Sequence, residues 1–275
     1  MNNFRSIQLK TKGISHGPIT RLMSPSDIGN IVKPFVFLDY IEAPAGNGPN
    51  FGFHPHSGIA TLTFPLTFDI RHEVSTGQVD DVPSRGIEWL VAGKGIWHRA
   101  NPINPKAELL KGFQIWFALP DACENGISST LFIDPKEVPR SGPVTVLLGS
   151  YEGVVSSIPT PFNANYLWIE LKDGQTWVYQ PPSSHQVAWI FVQEGEISLE
   201  GHAIKKELVV FEEGDSSIKL TAHGDTSILL GSAQKHPHDL VLGYYSVHTS
   251  QEALTVGESN IDSMGNKLRE AGIIT

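Results

Sequence analysis

Short runs of β-branched and aromatic residues, each cut off by glycine, proline, asparagine or aspartate, recur along almost the whole chain. The clearest are "PFVFLDYI", "IATLTF", "IEWLVAG", "GFQIWFALP", "VTVLLGS", "YLWIEL", "VAWIFVQEGEISLEG", "ELVVFEEGD" and "TSILLGSA". Regular short strands with turn punctuation, and little helical patterning between them, predict an all-β sandwich or barrel rather than alternating strands and helices. The best helical candidate is C-terminal. "SNIDSMGNKLREAG" opens with capping residues and places Lys267 and Arg269 ahead of Gly272, while Ile261, Met264, Leu268 and Ile273 recur at near-helical spacing.

A Pro/Gly/Ser-rich interval, "DPKEVPRSGP" through "SSIPTPFN", divides the strand runs into two groups. The expected organisation is a β domain over residues 1–135, a second over 136–245, and a tail over 246–275 that docks on them. Gly 26 and Pro 19 supply the turns, and 275 residues at 40% hydrophobic and 18% charged can bury a sizeable core. A net charge of −9 with no Lys/Arg cluster argues against direct nucleic-acid binding. One cysteine, Cys123, excludes an internal disulfide, fits a reducing compartment and reads as an inert loop thiol. "MNNFRSIQLKTKG" lacks the apolar run of a signal peptide, and no segment approaches the ~20 apolar residues of a membrane span. A cytoplasmic protein with no membrane association is the expectation.

The histidines carry the chemistry. In an extended "FHPHSGIATL", His54, His56, Gly58, Ala60 and Leu62 share one face, and Pro55 points away. Two imidazoles on one face can chelate a metal, and "LVAGKGIWHRANP" offers a third in His98. HPH alone reads better as polar turn residues or histidines satisfied by carbonyls; its combination with the later Gly-x-Gly-x-x-His segment reverses that. The second HPH, His236 to His238, follows a strand instead of opening one and is read as a loop. His72, His185, His202 and His223 are expected at the surface or in hairpins, with His72 near a barrel mouth.

"PFVFLDYIEAP", "FHPHSGIATLTF", "HEVSTG", "GIEWLVAGKGIWH" and "GFQIWFALP", followed by "IFVQEGEISLEG", "VVFEEGD" and "GYYSVHTSQEA", resemble in order and spacing the pirin family of the cupin superfamily. The resemblance implies two tandem cupin (jelly-roll-like) barrels, with iron or another divalent metal in the N-terminal one and none in the C-terminal one. It also implies either a quercetin-type dioxygenase or a transcriptional co-regulator. Two positions depart from the family pattern: Ala100 stands where a metal-binding Glu usually lies two residues after the third histidine, and Ala60 stands where a Glu usually follows the HPH. By strand alternation Ala100 shares the His98 face and Ala60 the His56 face, so two carboxylates are missing from one expected cavity.

His54, His56 and His98 can still hold a divalent ion, Fe(II) foremost, with Zn, Ni, Cu or Mn as alternatives. Oxygen chemistry on a flavonol also needs a base for the substrate hydroxyl. Glu88 and Glu73 are the candidates, against the plainer reading that both are solvated hairpin charges. Two functions follow: a metal-dependent dioxygenase acting on a small aromatic or enolic molecule with O₂, or a non-enzymatic regulatory or small-molecule-binding protein that acts through a protein partner.

Overall fold

The structure is a computed structural model, described over residues 4–274. Strands dominate it, and the one long helix is Gln251–Glu270. Among the described residues no helix is long and apolar enough to cross a membrane. The chain forms two compact units, one of residues 15–31, 35–137 and 236–274 and the other of residues 4–14, 32–34 and 138–235. The first strand and the last forty residues therefore lie apart from their sequence neighbours. Ile7–Thr11 joins the second unit because it adds to the edge strand Leu208–Phe211, with Leu9 opposite Val210.

The unit of residues 138–235 is built on a nine-stranded sheet whose long strands Val187–Leu199 and Ile218–Ala233 pair along most of their length. Alternate residues of these strands, Ala188, Ile190, Val192 and Ile228, Leu230, meet Leu167, Ile169 and Val209 in a dry core. His185 was expected at the surface; it is fully buried. Its Nδ1 lies 2.8 Å from Ser232 Oγ and its Nε2 2.9 Å from Asn163 Oδ1, so neither ring nitrogen is left unpaired. His202 and His223 are exposed, as expected.

The other unit carries a seven-stranded sheet, in which Ile59–Pro65 lies between Ile87–Val91 and Leu109–Ala118, and a four-stranded sheet ordered His54–His56, Ile96–Ile103, Asp69–Val74, Val79–Val82. "FHPHSGIATL" is not one strand. It breaks at Ser57 and Gly58, and its halves enter different sheets. Gly58 has φ +74°, and a Cβ there would collide with Val247 O and the His248 ring. The break resets the alternation. Thr61 lies opposite Trp116, whose ring packs against His56, so Ala60 points to the other face of the sheet, away from the histidines. The expectation that Ala60 shares the His56 face is thus corrected.

The tail helix packs on residues of this unit and begins eight residues earlier than the sequence suggested. Ser250 caps it, accepting from Ala253 N at 3.1 Å. The buried stripe is Leu254, Gly257, Ile261, Gly265 and Leu268. Two contact positions are glycines, which a reading based on apolar residues passes over; Ile273, expected on the stripe, is exposed. The Trp97 indole donates to Ile261 O at 2.8 Å, and Gly265 lets the helix backbone approach that ring.

Candidate metal centre

The four-stranded sheet brings the three expected histidines together. His98 lies directly opposite His54 in the antiparallel ladder, and His56 lies opposite Ile96, so all three imidazoles leave the same face. Their ring centroids are 4.7 to 5.1 Å apart, and their ligand nitrogens lie within 4.8 Å of one another. The tautomers are set from behind. His54 Nδ1 lies 3.0 Å from Gly52 O and His56 Nδ1 3.2 Å from Tyr245 O, so each Nδ1 carries the proton and each Nε2 keeps its lone pair. His56 Nε2 and His98 Nε2 are buried and have no hydrogen-bond partner. Burial pushes the His56 ring down to about 3, with the neighbouring His54 charge adding to it. Burial, with the charges of His56, His54 and His72, holds His98 well below the ordinary value, and burial also lowers His54. Neutral imidazoles with orphaned, convergent lone pairs are a donor set that fits a divalent metal ion.

His54 opens on a pocket of about 680 Å³, lined among others by Arg21, Phe37, Asp39, Ala100, Trp116 and Tyr245. Phe37 and Trp116 stack with centroids 4.0 Å apart, and the Arg21 guanidinium lies 3.9 Å over Phe37. Ala100 lines this pocket as its alternation with His98 predicts. Asp39 was missed by the sequence reading. It is held by the Arg21 guanidinium, with Nη2 3.0 Å from Oδ2, yet burial raises its carboxyl above the usual range against the lowering effect of Arg21. The signal was present in "PFVFLDYI", where one charge interrupts a run of apolar strand residues.

The two expected acids separate. Glu73 alternates away from His72 and pairs with Arg99 Nη2 at 2.7 Å, so the fold does not bring it to the histidines. Glu88 is no solvated hairpin charge: it is fully buried on the inner face of Ile87–Val91, opposite Thr63. His72, expected at the surface, is also fully buried because its strand pairs with Ile96–Ile103 and points it inward beside His98. His72 Nε2 lies 3.0 Å from His98 Nδ1 and 3.1 Å from Glu88 Oε1. The second HPH falls between strands, where His236 is buried and its Nε2 lies 3.2 Å from Leu119 O. Cys123 is half-buried in a turn.

Sheet-built units, with histidines presented from an antiparallel pair around a pocket, define a protein of the cupin class. Within that class, residues 19–117 of this chain match the pirin family model, and the chain is similar to pirin-like proteins. It is 25% identical over 258 residues to a pirin-like protein of Caulobacter vibrioides, covering 86% of each chain. It is 27% identical over 221 residues to a putative quercetin 2,3-dioxygenase of Pseudomonas aeruginosa, covering 74% of this chain and 77% of that one. Its fold superposes on the crystal structure of a quercetin 2,3-dioxygenase from Acinetobacter baumannii with a TM-score of 0.86 at 20% identity, over 97% of this chain and 98% of that one. A bacterial pirin of Escherichia coli solved in complex with nickel(II) gives a TM-score of 0.64 at 19% identity, over 85% and 99%.

Proposed function

We propose that this protein is a divalent-metal-dependent dioxygenase of the quercetin 2,3-dioxygenase type, acting on a small aromatic or enolic compound with O₂. The observation that carries the reading is the convergence of three neutral imidazoles at the wall of an aromatic pocket that also holds a buried carboxyl. His54, His56 and His98 would hold the ion, Fe(II) foremost, which when bound supplies the Lewis-acid and redox centre for oxygen and an enolic oxygen.

The remaining work falls to the chain. The carbonyls of Gly52 and Tyr245 fix the His54 and His56 rings in the ligating tautomer. The Phe37–Trp116 stack gives a flat ring substrate an apolar wall. Asp39 takes the substrate hydroxyl proton, and Arg21 holds its carboxylate in place. The pocket volume lies within the usual range of small-molecule sites.

One observation favours a second reading, a non-enzymatic binding protein that works through a protein partner. Ala100 lines the pocket where the family pattern has a Glu, so the ion would lose an anionic ligand. The test is metal content of gently purified protein, followed by O₂ uptake and loss of quercetin absorbance. Turnover that follows metal content and disappears in His56→Ala supports the dioxygenase. Fully metallated protein that leaves flavonol and oxygen unconsumed overturns it in favour of the second reading.

A further inference from the structure

His98 has a second nitrogen, and its surroundings are as unusual as those of the first. Nε2 faces His54 and His56, while Nδ1 faces inward to His72 Nε2 and Glu88 Oε1. All three inner residues are fully buried. Neither oxygen of Glu88 accepts a hydrogen bond from the protein, and His72 Nδ1 is likewise without a partner. Thr63 Oγ1, on the residue opposite Glu88, and Thr61 Oγ1 two residues before it are buried and unpaired as well. So many orphaned polar atoms at one interior point call for a physical cause.

If His98 ligates through Nε2, its Nδ1–H donates to His72 Nε2 at 3.0 Å and uses that lone pair. Glu88 Oε1, 3.1 Å from the same nitrogen, then meets no donor, and its charge is buried without compensation. A cation between the three atoms gives Glu88 Oε1 its missing partner and takes the facing lone pairs of both rings. The atoms are separated by 3.0, 3.1 and 3.9 Å, so a point equidistant from them lies about 2 Å from each, the length of a metal–nitrogen or metal–oxygen bond.

We propose that His72, Glu88 and His98 form a second, inner metal site, and that the His98 imidazole bridges it to the outer site of His54, His56 and His98. A borderline ion such as Zn(II) fits two imidazoles and one carboxylate best, with waters on the threonine side completing its coordination. Loading both sites removes one proton, from His98 Nδ1, so the bridge is an imidazolate and each ion receives one of its lone pairs. The imidazolate and the Glu88 carboxylate together offset two of the four positive charges of the paired ions. The inner site rests on the proposed outer site only through the shared ring.

Because the inner ligands are buried, the ion is supplied during expression in zinc-supplemented medium, and the purified full chain is crystallised. Anomalous difference maps at the zinc edge, with metal content by emission spectroscopy, should show two ions per chain, one on each side of the His98 ring. Glu88→Gln, which keeps shape and removes the charge, should lose the inner ion and keep the outer. His56→Ala should do the reverse. A single wild-type ion on the Nε2 side that survives Glu88→Gln overturns the inner site and leaves the outer-site reading standing. A water alone at the inner position also overturns it. Absence of ions from both positions overturns the inner site and the metal-dependent function together.

Discussion

At the scale of single residues, the pocket separates Asp39, which lines it, from Glu73 and Glu88, which do not. Asp39→Asn should leave metal content unchanged and lower turnover of quercetin at least tenfold, since positioned acid–base groups typically contribute roughly 10²-fold or more. The wild-type rate should fall with acidity at a pH above the ordinary carboxylate range, because burial raises the Asp39 carboxyl and the base works only when deprotonated. A pH–rate profile on metal-loaded protein checks both. Ala100→Glu adds an anion on the face shared with His98, and should tighten divalent metal binding by about 1 kcal/mol or more, roughly fivefold. Competition against a chelator measures it. Ala60→Glu should not tighten metal binding, since that side chain faces the other side of its sheet, and its fully buried position should make the variant less stable. The histidine triad was legible because a two-residue period and an antiparallel partner place three side chains by local rules. Glu88 and His72 were not, because their burial depends on which sheet covers them, a fact set by pairings between strands distant in sequence.

At the scale of elements, the tail helix is held by polar locks as much as by apolar contact. Ser57 Oγ donates to Ser246 Oγ at 2.8 Å and lies 3.0 Å from His248 Nε2, while His248 Nδ1 lies 3.3 Å from Glu124 Oε2. A serine, a histidine and a carboxylate in this order resemble a nucleophilic triad. Ser57 is fully buried, however, and its hydroxyl is already committed to Ser246, so the arrangement fastens strand to tail. Gly257 packs onto this group: a Cβ there would lie 2.5 Å from Ser57 Oγ and 2.6 Å from His248 Nε2. In an exposed helix Gly→Ala would gain about 1 kcal/mol of propensity. Here overpacking, worth about 1–3 kcal/mol, opposes it, and Gly257→Ala should lower the melting temperature. Removing the chain after Tyr244 should lower it further, because Trp97 loses its carbonyl acceptor and its covering helix. The helix itself was legible from its caps and charges. Its extent was not, because a stripe that uses glycine for close approach carries no hydropathy signal.

At the scale of the whole molecule, burial of histidines sets the response to acid. His185 is pushed down to about 4, by burial first and then by the nearby Arg5 charge. Unfolding returns it to about 6.5, so the unfolded chain binds the proton more readily. The stability this group contributes is fully present above pH ~6.5, declines as pH falls, and is gone below about 4. It amounts to at most about 3 kcal/mol. Denaturant melts of wild type and His185→Gln across that range should show a stability gap that narrows as the solution becomes acidic. A gap independent of pH would exclude His185 as a source of acid lability.

The pairing of Ile7–Thr11 with Leu208–Phe211 has a consequence for how the protein is made. A ribosome adding roughly 5–20 residues per second takes about 10–40 s to travel from one strand to the other. Throughout that interval the first strand to emerge has no ladder to join, and the half of the chain made first still awaits its C-terminal helix. Neither unit can close from a contiguous piece of the nascent chain, so synthesis order and folding order are uncoupled at both ends. Closure of either unit therefore waits for chain that is made late in synthesis.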